Sequence, residues 1–189
     1  AWKGGIDPTR IVLSGVAVSE LFGAGISAIL VFFSDRVHGA LTFMNGSLSS
    51  RSWGEVRTIL PYTIAGLLLA LIFADKLNIL VLGDDTARGL GLNVELTRLG
   101  FTALAALLAA SAVSVVGLLG FVGLIVPHSI RLILGNNYKI MFPATALLGA
   151  ALVMLSDTFA RTVLSPTEIP VGIVMAVLGV PFFLYLLRK

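Results

Sequence analysis

The 189-residue sequence contains no cysteine, so disulfides, thiolate metal centres and cysteine nucleophiles are excluded, and cysteine usage is silent on redox compartment. Charge is also scarce, at 12% Asp, Glu, Lys and Arg against roughly 25% in an ordinary soluble domain. The two histidines, His38 and His128, lie far apart along the chain, which makes a poor metal site, and no metal is expected. Neither H-E-x-x-H nor a marked Ser-His pairing is present, and there is no G-x-x-x-x-G-K-[ST] phosphate loop. What replaces polarity is grease: 57% of residues are hydrophobic and the mean hydropathy is +1.01.

That composition belongs to an integral membrane protein. A bilayer takes about 20 apolar residues per helix and leaves no backbone group unpaired, and the continuous apolar runs do not alternate as barrel strands do. The expected fold is therefore an all-α transmembrane bundle. The net charge of +3 reads as basic residues at the cytoplasmic lipid surface, with no nucleic acid partner expected. The opening "AWKGGIDPTR" has no initiator methionine and no signal-peptide pattern, and reads as a piece of something longer.

Apolar runs cover Ile11 to Phe33, Thr58 to Phe73, Leu99 to Val126, Phe142 to Leu155 and Val171 to Leu187. Between the first two lies the amphipathic, turn-rich "RVHGALTFMNGSLSSRSWGEVR", with Trp53 at a plausible interfacial depth. Residues 82–98, "LGDDTARGLGLNVELTR", are too polar to span. Asp84 or Asp85 can cap one short helix, Gly89 and Gly91 break it, and Asn93 can cap another, so two stubby helices with a glycine hinge are expected.

The uncharged run from Leu99 to Val126 is either one tilted helix or, continued to Leu134, two helices broken near Gly117 and Gly120. Charge arbitrates. With two, Lys3, Arg10, Lys76, Arg88, Arg98, Arg131, Lys139, Arg188 and Lys189 share a side, leaving Arg36, Arg51, Arg57 and Arg161 opposite, nine against four. With one, the split is six against seven. The positive-inside rule favours six spans with both ends cytoplasmic. Gly117, Gly120 and Gly123 then lie at i, i+3 spacing, where small residues let helices approach closely.

"GFVGLIVPHSIRLILGNNYK", "LLGAALVMLSDTFAR" and "EIPVGIVMAVLGVPFFLYLLRK" together resemble the iron-chelate and cobalamin (FecCD-type) permease family of bacterial ABC importers. "LGDDTARGLGLNVELTRLG" is similar to the family's cytoplasmic loop that docks on the ATPase subunit, and "MNGSLSSRSWGEV" to its periplasmic segment. The resemblance implies a single permease domain over 1–189, corresponding to the C-terminal six helices of a ten-helix protomer in the bacterial cytoplasmic (inner) membrane. Implied partners are ATPase subunits that bind ATP and Mg, a periplasmic or lipid-anchored substrate-binding protein, and a second permease protomer, alike or paralogous. The cargo implied is an iron-siderophore or related chelate such as haem or cobalamin. This chain itself needs no cofactor and is not an enzyme.

By that resemblance Asp84, Asp85, Thr86, Arg88, Gly89, Gly91, Leu92 and Glu95 form the ATPase-coupling element; read plainly they are a solvated loop. Arg161 matches an arginine that pairs with an acidic residue of the binding protein, with Arg57, Arg51 and Arg36 as further candidates. Its plain reading is a snorkelling arginine or an i, i+4 pair with Asp157. Glu168, in the acidic-aliphatic-proline pattern before the last run, is expected to cap the last helix. Pro127 is expected to bend its helix, freeing backbone groups that His128 or its neighbours satisfy. Glu20 costs roughly 2.5–3.5 kcal/mol if it sits at a helix centre in lipid, so it faces protein, water or the pathway. A proton- or ion-coupled secondary transporter is the competing class, for which Glu20 and Asp157 are the only midplane candidates. An intramembrane enzyme is the third, with no nucleophile marked.

Overall fold

A computed structural model describes residues 8–33, 37–49, 51–165 and 167–188. Nine helices and no strand occur among them: α1 Pro8–Phe32, α2 Val37–Asn45, α3 Trp53–Ile72, α4 Ala74–Leu80, α5 Asp84–Gly89, α6 Val94–Val116, α7 Val122–Leu134, α8 Tyr138–Thr162 and α9 Val171–Leu187. The chain forms two compact units, Ala1–Leu41 and Thr42–Lys189. In the first, α1 is a 25-residue apolar helix that exposes nearly its whole length, Glu20 included.

In the second unit α3 packs on α6 and α8, α7, α8 and α9 pack on one another, and α4 bears on α8, α5 and α6. Its core is thin: Met175, Val126 and Val171 are its largest fully buried side chains. Most large apolar side chains point outward instead, as lipid requires. Across the chain α1, α3, α6 and α8 are long and apolar enough to cross a bilayer, and α7 and α9 are shorter apolar helices. These are the six apolar helices expected from the runs.

α3 starts at a capping box, in which the Ser52 hydroxyl accepts from the Gly54 N–H while Glu55 reaches back to the Ser52 N–H at 2.9 Å. The long uncharged run does break, and α6 stops at Gly117, whose φ of 79° suits glycine. α7, at 13 residues, rises only about 20 Å. The 117–121 segment between α6 and α7 is not helical, and irregular backbone survives in a membrane only where protein satisfies it. Leu118 N–H donates to the Phe43 carbonyl at 3.1 Å, and Ser47 N–H to Val116 at 2.9 Å. Phe121 closes the segment with a left-handed φ of 64° and its ring against Gly179.

Of the three glycines expected to line a helix contact, only Gly117 is tightly approached, by the backbone of Phe43 in the last turn of α2. A Cβ on Gly120 or Gly123 would meet open space, because 117–121 is not helical and the i, i+3 stripe does not form. The close approaches lie elsewhere: Gly46 meets Leu118, and Gly172 meets the Asn45 carbonyl.

Candidate functional site

The polar 82–98 stretch folds as one short helix leading into a long one. The second stubby helix expected after Asn93 is the first turn of α6, which runs on for 23 residues. Asn93 caps it, its Oδ1 accepting from the Leu96 N–H at 3.0 Å. Neither Asp84 nor Asp85 caps α5; the cap position is Gly83, with φ 100°, and both aspartates occupy the first turn, where negative charge suits the helix dipole. Asp84 instead accepts from Arg98 Nη2 at 2.7 Å, tying α5 to the first turn and a half of α6.

α5 ends in a Schellman motif. Leu92 N–H bonds the Ala87 carbonyl at 3.0 Å and Gly91 N–H the Arg88 carbonyl at 2.9 Å, with Gly91 at φ 79°. Gly91 is thus the residue the turn requires, whereas Gly89 is the last helical residue and stands in open space. Ala87 is fully buried and Val94 nearly so, so the module is seated from beneath. Thr86, Arg88, Leu90, Gly91 and Glu95 face outward. A hollow of about 360 Å³ opens between Arg88, Leu92, Asn93 and Glu95. The result is a capped, stapled knob with an exposed polar rim, which can transmit a push.

α4, missed by sequence reading, anchors this knob to α8. Asp75 pairs with Lys139 at 2.8 Å. Asn78 accepts from the Tyr138 N–H at 3.0 Å and donates to Asn137 Oδ1 at 3.2 Å. The i, i+3 spacing of Asp75 and Asn78 was the available signal, masked because both read as the polar end of a span.

At the opposite end, Arg161 Nε donates to Asp157 Oδ2 at 2.8 Å, the local i, i+4 pair. Its Nη1 lies 4.0 Å from Glu168 Oε1. Glu168 does not cap α9, whose cap position is Pro170 with no side-chain bond; it accepts the Ser49 hydroxyl instead. Arg51 and Arg57 are exposed beside the start of α3, while Arg36 and the His38 side chain lie outside the described residues. The structure thus brings Arg161, Asp157, Glu168 and Ser49 together.

α7 runs through Pro127 as one helix. His128 meets Phe182 edge-on, ring centroids 6.1 Å apart, and the hydroxyl bonding back into the helix is that of Ser129, to Ile125 at 2.8 Å. Among the described residues no group of three His, Asp or Glu side chains could hold a metal ion.

Comparison with known proteins bears on what such a bundle does. The FecCD transport family model matches residues 1–189. The chain is 40% identical over 189 residues to the Fe(3+)-citrate import system permease protein YfmD of Bacillus subtilis, covering all of this chain and 56% of that protein. It is 41% identical over 189 residues to the cobalamin import system permease protein BtuC of Halobacterium salinarum, covering all of this chain and 51% of that one. A solved inward-facing ABC transporter assigned to the metal-chelate type superposes with a TM-score of 0.91 at 29% identity, over 97% of this chain and 60% of its own. The chain therefore spans about half the length of the curated relatives it matches. With the family match running from first residue to last, the all-helical membrane chain belongs to the FecCD transport family.

Proposed function

We propose that residues 1–189 act as one permease domain within the translocation subunit of an ATP-driven, binding-protein-dependent importer of an iron chelate or related metal chelate. The observation that carries this is the 84–98 knob, closed by the turn at Gly91 and the Asn93 cap and standing at the more basic end of the bundle. Among the described residues Lys76, Arg88, Arg98, Arg131, Lys139 and Arg188 lie at that end, against Arg51, Arg57 and Arg161 at the other. Six against three supports a cytoplasmic knob.

On this reading ATPase subunits, which hold the ATP and Mg, seat on Asp84, Asp85, Thr86, Arg88, Gly91, Leu92 and Glu95. Gly89 serves as the helix end that Gly91 turns. A periplasmic or lipid-anchored binding protein docks around Arg161, Arg57 and Arg51. A guanidinium already oriented by Asp157 and Glu168 can still offer a second edge to an incoming carboxylate. A second permease protomer completes the pathway, onto which Glu20 faces, and the assembly resides in the bacterial inner membrane. The class of cargo is inferred from relatives named for iron-citrate and cobalamin import.

The test is ATP hydrolysis by the complete permease reconstituted with its ATPase, with and without binding protein. Gly91→Val should abolish the stimulation, and Arg161→Glu should weaken binding-protein docking. If both variants behave as wild type, the knob is only a linker. Uptake driven by an ion gradient without ATP would favour the secondary-transporter reading.

A further inference from the structure

The N-terminus of α8 is held in an uncommon way. A helix leaves its first N–H groups without intrahelical partners. Here Asn137 takes two of them, through its side chain to Lys139 at 3.1 Å and its carbonyl to Ile140 at 3.1 Å. A third, on Tyr138, goes to Asn78 of α4, sixty residues away in sequence. Asn78 also donates to the capping oxygen of Asn137, so a single side chain grips both the helix and its cap.

The grip falls where α8 needs it. Pro143 lies inside the helix and has no N–H to return to Lys139, so the first turn is loosely tied to the second. The exposed Asp75–Lys139 pair adds little in energy but fixes orientation. Beyond Pro143 the helix runs unbroken to Thr162, about 37 Å in all, and carries Asp157 and Arg161 in its last turns. α4 in turn leads through three residues into α5.

We propose that Asn78 is a positioning residue through which the 84–98 knob moves α8, making α8 the rod that joins the ATPase face to the Arg161 face. The inference rests on the importer reading. A push on α5 reaches α8 through Asn78 and Asp75 without passing through the thin apolar core, and the far end of the same helix presents Arg161.

The test uses the complete permease with its ATPase in proteoliposomes, measuring basal hydrolysis, stimulation by binding protein and binding-protein affinity separately. Asn78→Ala should leave basal hydrolysis and affinity within about two-fold of wild type and cut stimulation by about three- to ten-fold. A merely structural role would lower all three together. As a second handle, Asn78→Cys with Asn137→Cys, introduced into a complete permease without other cysteines, can be bridged by a short thiol cross-linker, and residues 1–189 contribute none. Bridging should restore the stimulation that the unbridged pair loses. Unchanged stimulation in Asn78→Ala, a parallel loss of basal hydrolysis, or equal stimulation of bridged and unbridged pairs would each overturn the proposal. A wild-type complex that binding protein never stimulates would remove the importer reading itself, a different result.

Discussion

The two ends of the second unit are stitched by different chemistry. At the α5 end, side chains do the joining: Arg98 to Asp84, Lys139 to Asp75, and Asn78 to Asn137 and Tyr138. At the α2 end, where Ser49 and Arg161 also reach Glu168, backbone meets backbone as well. Gly46, Gly117 and Gly172 let the 43–46, 116–118 and 170–172 segments come closer than any Cβ would allow, and Gly172 N–H donates to the Gly46 carbonyl at 3.4 Å. Side-chain joints can lengthen, rotate and re-form; backbone joints have no such slack. On the proposed reading the end that moves is joined by the former, and the other end adds the latter to its Ser49–Glu168 and Arg161–Glu168 contacts.

The largest test of this contrast is Gly172→Ala. Its Cβ would overlap the Asn45 carbonyl, a backbone atom that cannot step aside, so a loss of about 3 kcal/mol is expected, read as a fall in thermal midpoint in detergent. Next is a paired comparison within the knob. Gly91→Ala forces a side chain to φ 79° and should cost about 1–2 kcal/mol, whereas Gly89→Ala, helical and in open space, should gain about 0.5–1 kcal/mol. Equal effects at the two glycines would remove the Schellman turn from the account. Asn93→Ala should cost about 1 kcal/mol through the lost α6 cap. Smallest is Asp75→Asn, below about 0.5 kcal/mol because both partners of the pair are more than half exposed. A large effect there would mean that the α5 end is stiffer than its chemistry implies.

Much of the bundle was legible because lipid imposes a length on each helix and charge parity counts them. The break near Gly117 followed from the glycines that marked its place and from the distribution of Lys and Arg that chose two helices over one. Local caps were half legible: Asn93 signals a helix start but not whether that helix runs one turn or six, and Ser52-x-x-Glu55 announced α3 five residues before its apolar run without being read. α4 was hidden because Asp75 and Lys76 look like the end of a span. The backbone crossings could not be foreseen, since Gly46 and Gly172 are 126 residues apart and a glycine carries no side chain to advertise a partner. Arg161 illustrates the same limit: its match to a docking position and its pairing with Asp157 were both readable, and the structure displays the second while adding Glu168 and Ser49.

The 117–121 segment also orders the making of the protein. Its Leu118 N–H depends on Phe43, which leaves the ribosome long before it, but the Phe121 ring lies against Gly179, which emerges 58 residues after it. Until α9 is synthesised that stretch has only half of its shelter from lipid. Packing of this segment therefore waits for α9, and a chain cut short of Val171 is expected to be taken by membrane quality control rather than to persist.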